Sequence, residues 1–294
     1  WSVVQVEAAE SQLSISPYVA LRSLLLPWFK SELEAALALK PPEKGEGALI
    51  SSISKASSID ELLPLISEAR GLARLEAVSK LAELARNSEI REKILSLLRE
   101  PSYEKVSGDL LVALGKLGLE NGLPVTENII SVFDELPDSV KAQACVVLGV
   151  LRDEKAADLV WSFLQRVSGD RQLSTAALMA LVDLGDDRAN DIIVSALEKG
   201  DFTVEHLGLA ARIGDERVVK PIMKLALLSD NPRLRVAAIN VLAYIVKMKG
   251  TRPILPYLSH SKKTIKRLAR QVVKLSRQPL SYFKLFHPLD KEFY

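Results

Sequence analysis

The sequence repeats one short pattern at intervals near 30 residues, and this repetition restricts the possible folds more than any other feature. In each copy an apolar segment with helical spacing ends at Leu or Ile, a short turn follows, and a second apolar segment begins. The clearest copy is AALMALVDLGDDRANDIIVSAL, residues 176–197. Because two such short helices cannot bury their apolar faces alone, consecutive pairs are expected to stack into an array.

We define the anchor of each copy as its last apolar residue before the turn. The anchors are Leu84, Leu117, Leu151, Leu184, Ile213, Ile245 and Leu275, at intervals of 33, 34, 33, 29, 32 and 30 residues. The residues three before them share their helical face; they are Leu81, Leu114, Leu148, Leu181, Ala210, Leu242 and Val272. The spacing predicts that both sets are buried in an all-α fold without a β-sheet.

The turns carry residues suited to ending one helix and starting the next. A glycine follows three anchors, where a left-handed residue commonly ends a helix; these are Gly118, Gly185 and Gly214. An aspartate that can cap the following helix comes two residues after three anchors; these are Asp153, Asp186 and Asp215. The turns therefore support a repeat unit of two helices joined by a short turn.

These units resemble HEAT-like repeats of the type also found in phycobilin lyases, over roughly residues 58–278. The resemblance implies an α-solenoid of about seven HEAT-like helical hairpins. It says little about function, because the residues that carry it are those that pack.

The flanking segments lie outside the repeat. Residues 1–40 are expected to form helices that either cap the solenoid or belong to a larger region, and residues 41–57, rich in Pro, Gly, Ser and Lys, are expected to be a linker. Ser58 is expected to cap a helix over residues 59–70. Residues 279–294 form an aromatic tail.

Residues for catalysis are sparse and scattered. The sequence has no glycine-rich phosphate loop and no paired cysteines, and the apolar surroundings of Cys145 predict a core residue. HEAT-like di-iron hydroxylases use several His-Glu pairs, whereas this chain has one reversed pair that ends at His206. A DNA-repair glycosylase is the least favoured hypothesis, since Trp161, three residues after Asp158, is interpreted as packing. We expect a non-enzymatic protein without a cofactor or metal.

The strongest indication of binding is the last predicted helix, KKTIKRLARQVVKLSR, residues 262–277. One face is apolar, and the other carries six cations with no intervening acid. These six residues, here called the basic row, are Lys263, Lys266, Arg267, Arg270, Lys274 and Arg277. By register we expect this to be the second helix of its hairpin, on the concave side. The row either binds an anionic partner or is the solvated face of the final repeat.

The tail and the charge distribution bear on the identity of a partner. Tyr282, Phe283 and Phe286 either fold back over the last hairpin or contact the partner. Residues 246–294 carry a net charge of +10, and the remainder carries −8. A nucleic-acid binder using the entire concave face should be basic throughout. We therefore expect a scaffold or adaptor that binds a protein within a larger assembly, with nucleic acid as the alternative.

A second set of cations comes four residues after successive anchors, and the nearby aspartates are expected to neutralise them. This set, here called the turn cations, is Lys155, Arg188, Arg217 and Lys249. No apolar stretch reaches the ~20 residues of a membrane span, and the expected location is cytoplasmic.

Overall fold

A computed structural model of the protein describes the backbone of residues 45–202 and 204–279. Within these residues all regular structure is helical and no strand is present, which confirms the predicted all-α class. The chain forms two compact units that meet in sequence between Leu184 and Gly185. The sequence predicts one continuous solenoid over residues 58–278, without a division at this point. The terminal segments 1–40 and 280–294 lie outside the described residues.

The first unit contains nine of the described α-helices. They are α1 (Glu46–Lys55), α2 (Ile59–Glu68), α3 (Gly71–Leu84), α4 (Ser88–Arg99), α5 (Glu104–Asn121), α6 (Val125–Val132), α7 (Asp138–Leu151), α8 (Ala157–Arg166) and α9 (Arg171–Leu184). Helices α1, α3, α5, α7 and α9 pack side by side in that order, and each even-numbered helix packs against the odd-numbered helix that follows it.

The second unit repeats this arrangement with six helices. They are α10 (Asp187–Lys199), α11 (Val204–Ile213), α12 (Val219–Leu228), α13 (Pro232–Lys249), α14 (Leu255–Leu258) and α15 (Lys263–Ser276). Helices α11, α13 and α15 pack side by side, while α10, α12 and α14 pack against α11, α13 and α15 respectively. In both units the helices that carry an anchor thus lie next to one another.

The expected linker over residues 41–57 is wrong for residues 46–55, which form α1 and pack against α3. Apolar residues at positions 49, 50 and 53 share one helical face, and Ile53 is fully buried there. The Ser- and Lys-rich composition concealed this spacing. The next prediction is confirmed, since Ser58 accepts a hydrogen bond from the backbone N–H of Glu61 and caps α2.

The prediction of buried anchors is right for Leu117 and Ile245 and wrong for the other five, which are half-buried. All seven residues three positions earlier are buried, as predicted. The difference follows from helix length. Helices α5 and α13 continue four residues beyond their anchors, whereas the other helices end at the anchor or one residue after it. A residue at a helix end has neighbours on fewer sides.

Candidate partner-binding surface

Helix α15 separates its apolar and charged residues almost completely. Leu268, Ala269 and Val272 are buried against the rest of the second unit. Five members of the basic row are exposed, and Lys266 is half-buried. At 3.6 residues per turn, the six cations fall within an arc of about 100° opposite the buried face and extend about 21 Å along the helix axis.

No member of the basic row forms an ion pair or a hydrogen bond through its side chain with any residue that the structure describes. Its surroundings in sequence are equally one-sided, because residues 231–279 contain 12 basic residues and no acidic one. The six positive charges are therefore not neutralised by the described part of this chain.

The two ends of α15 differ in how their backbone groups are satisfied. At the C-terminal end, Lys247 from α13 donates hydrogen bonds through Nζ to the carbonyl of Gln278 at 2.6 Å and that of Ser276 at 3.4 Å. At the other end, the N–H of Lys262 donates to Nδ1 of His260 at 3.0 Å. No side chain caps the first turn, and that turn contains no acid.

Cations in a first turn oppose the helix dipole, at a cost of roughly 0.3–1 kcal/mol each when exposed. Lys262 and Lys263 occupy this unfavourable place in α15. A carboxylate or phosphate beside them would interact favourably with both the side chains and the helix end. The start of α15 is therefore electrostatically suited to an anionic partner.

Helix α15 packs against α13, which carries the preceding anchor, and against α14, which precedes it in the chain. As in the other pairs, an even-numbered helix thus packs against the odd-numbered helix that follows it. The place of α15 as the second helix of its hairpin, on the concave side, stays a prediction.

The turn cations contrast with the basic row. Arg217 pairs with Asp215 at 2.7 Å and with Asp191 at 2.9 Å, and Arg188 pairs with Asp186 at 2.5 Å. The hydrogen bond from each arginine lowers the pKa of the aspartate two residues before it. Local neutralisation is confirmed at these two turns.

The other two turn cations have different surroundings. Lys155 pairs at 2.5 Å with Glu127 of the preceding hairpin rather than with Asp153, and this contact lowers the pKa of Glu127. Cε of Lys249 lies 3.0 Å from the position that a Cβ on Gly214 would occupy. Along these turns, partners from the same unit are thus available to most of the cations.

The capping predictions are confirmed in part. Asp153, Asp186 and Asp215 each accept a hydrogen bond from the backbone N–H two residues later. Gly185 and Gly214 are left-handed, with φ of +78° and +63°. Gly118, however, lies inside α5, and the left-handed residue that follows this helix is Gly122 instead. A Cβ at position 118 would lie 2.9 Å from Cδ2 of Leu151, so close packing of helices accounts for this glycine.

The residues considered for catalysis do not converge on a described site. Cys145 is fully buried as predicted, and burial raises the pKa of its thiol, which disfavours the reactive thiolate. Trp161 is half-buried on α8 with Asp158 exposed one turn earlier, and His206 lies half-buried on α11. Among the described residues, no three His, Cys, Asp or Glu side chains group as metal ligands would. Nor is any described helix apolar over the length of a bilayer.

Sequence reasoning missed two charged residues with structural roles. Asp109 is buried on α5 and accepts a hydrogen bond from Nε of Arg74 on α3 at 2.7 Å. Its burial raises the pKa of its carboxyl, and Arg74 opposes that effect. An acid within an apolar run was the available signal. For Lys247 there was none, because its acceptors follow 29 and 31 residues later.

The aromatic residues Tyr282, Phe283 and Phe286 lie outside the described residues, so the structure gives the surface of α15 alone. Compared with protein-family models and with curated proteins, this chain matches none of them.

Proposed function

We propose that this protein is a non-enzymatic adaptor that docks an acidic surface of a partner protein on the basic row within a larger assembly. The observation that carries the proposal is the contrast between two sets of cations. Arg188, Arg217 and Lys155 have acidic partners within their own unit, whereas the basic row has none among the described residues.

Unpaired cations that lie close together on one helix repel one another, and this repulsion lowers the stability of the helix. Successive cations of the basic row lie about 1.5–6 Å apart along the helix axis, well within the ~10 Å screening length of 0.1 M salt. Like charges at i,i+4 destabilise a helix by roughly 0.2–0.5 kcal/mol per pair. A solvated end helix would keep its solubility with mixed signs and avoid that cost. An acidic partner offsets it.

We also propose that the hairpins form a HEAT-like solenoid and that the aromatic tail contacts the partner. Within each unit, helices that carry anchors lie next to one another, as expected for HEAT-like hairpins stacked in a solenoid. Because the aromatic tail follows α15 directly in sequence, we include Tyr282, Phe283 and Phe286 in the docking surface. Aromatic side chains beside cations commonly provide the dominant contacts at a protein interface.

The test compares two double charge reversals in the full chain. R270E/K274E changes two exposed members of the basic row at i,i+4. K220E/K224E makes the same change in charge and spacing on α12, where both lysines are also exposed. After nuclease treatment of a lysate from the source cells, the wild type and K220E/K224E should retain the same acidic protein, and R270E/K274E should lose it. Equal retention by all three would contradict the proposal.

Nucleic acid is the second candidate, favoured by one observation: no acidic residue interrupts the basic row or the 49 residues around it. Salt separates the candidates. Affinity for duplex DNA should fall steeply on a log–log plot, with a slope near −0.9 per phosphate neutralised. A partner held partly by the tail should show a shallower slope, and F283A should weaken it more than any single lysine substitution.

A further inference from the structure

The geometry of the basic row restricts what kind of acidic surface can fit it. The cations follow one another along α15 at rises of about 4.5, 1.5, 4.5, 6 and 4.5 Å, because they are spaced by three, one, three, four and three residues. They also keep to an arc of about 100°. The row is therefore a straight, narrow line of charge, about 21 Å long.

We infer that the partner contributes an acidic α-helix that lies along α15, with carboxylates at i, i+3, i+4 and i+7 on one face; this inference rests on the proposed function. A second helix repeats the same rises of about 4.5 and 6 Å along its own axis. Each cation of the row can then face a carboxylate without either helix bending.

Other anionic partners match the row less well. An extended acidic strand presents side chains on one face only every 6.6–6.8 Å or so, which gives about four carboxylates for six cations. A duplex backbone winds around its axis, so a straight row meets few consecutive phosphates. An anionic membrane would bind an amphipathic helix through its apolar face, but α13 and α14 already cover that face of α15.

The distribution of burial also fits a helical partner. The charged arc of α15 is accessible along its length, and its surroundings are exposed on one side, since Thr264 and Gln271, which flank it there, are exposed too. A neighbouring helix needs an accessible strip of this kind along its whole length. Long lysine and arginine side chains can extend from such a strip toward a parallel rod of carboxylates.

The experiment uses two alanine-based peptides of identical composition, each with six glutamates and held helical by the same hydrocarbon staple. In the striped peptide the glutamates occupy one face with spacings of three, one, three, four and three residues. In the scattered peptide they surround the helix. Binding to the full chain is measured by fluorescence anisotropy, with a DNA duplex as a third ligand.

The striped peptide should bind the wild type about 10-fold more tightly than the scattered one, since only it can pair all six charges at once. R270E/K274E should remove that preference, and K220E/K224E should retain it. Equal affinity for both peptides, abolished by R270E/K274E, would overturn the inference while leaving the proposed function intact.

The remaining outcomes are also decisive. Binding of the striped peptide that survives R270E/K274E would overturn both the inference and the use of the basic row in docking. Tighter binding of the duplex than of either peptide would overturn the inference in favour of nucleic acid. No binding of either peptide would overturn the inference alone, because retention of a partner from lysate tests the proposed function separately.

Discussion

Helices α7 and α15 are both 14 residues long and hold the same place in the repeat, yet they differ in what surrounds them. Helix α7 packs between α5 and α9, and its residues 140–150 are all buried except Gln143. Helix α15 packs against α13 and α14 and exposes a face that is entirely basic. The repeat register thus fixes which face packs, while the remaining face is free to take a role in binding.

The largest expected effect is on the stability of the buried face. L148A in α7 should lower the free energy of unfolding by roughly 2–5 kcal/mol, because Leu148 is fully buried. L151A is the matched control at the half-buried end of the same helix, and its cost should be about half as large. Urea denaturation measures both. Equal losses would mean that the burial of each leucine does not determine its contribution to the free energy of unfolding.

The second effect concerns the close approach of α7 and α9. A Cβ at Gly149 would lie 2.7 Å from Cα of Ala180, so G149A should cost roughly 1–3 kcal/mol. G208A provides the control within α11, where no described atom outside the neighbouring backbone of that helix lies within 4 Å of the added Cβ. That substitution should be neutral or stabilise by up to about 1 kcal/mol. Thermal or urea denaturation should show a loss of stability for G149A and no loss for G208A.

The sequence predicted what depends on spacing along one helix. The buried positions at Leu148 and Leu181 and the caps at Asp186 and Asp215 follow from contacts within a few residues. It did not predict what depends on distant segments. Helix α1 becomes ordered against α3, and the anchor at Leu151 loses burial because its helix ends there.

The candidate site shows the same limit. The residues of the basic row and their common helical face could be predicted from the sequence, because a helical period assigns each residue to a face. Its position could not, since it follows from the packing of α15 against α13 and against α14, a helix of only four residues. The hydrogen bond from Lys247 to the carbonyl of Gln278 likewise depends on the packing of α13 beside α15.

A smaller effect is expected at the paired cations of the turns. Arg188 lowers the pKa of Asp186, so this pair contributes stability above the unfolded-state pKa of ~3.9. The contribution is lost as the pH falls through the lower folded-state value. D186N keeps the helix cap but removes the charge, and should cost no more than about 1 kcal/mol at pH 7.

The difference between D186N and the wild type should shrink as the pH is lowered from 5 toward 2, because the native carboxyl then becomes neutral as well. Urea denaturation across that range measures it. A difference that does not change with pH would mean that the pair with Arg188 contributes through geometry rather than through charge.

The smallest effect on stability, and the one that best separates the two helices, is expected from the basic row itself. R270E/K274E should leave the melting temperature unchanged or raise it slightly, by an amount equivalent to less than about 1 kcal/mol. Both side chains are exposed, and the reversals replace repulsion at i,i+3 or i,i+4 with attraction to Lys266, Arg267 and Arg277, while positions 270 and 274 stay like-charged. A chain that becomes more stable when these charges are reversed retains them at a cost, which fits the proposed docking surface. A loss of more than ~1 kcal/mol would instead show that the row stabilises α15, and the case for a docking surface would lose its electrostatic basis.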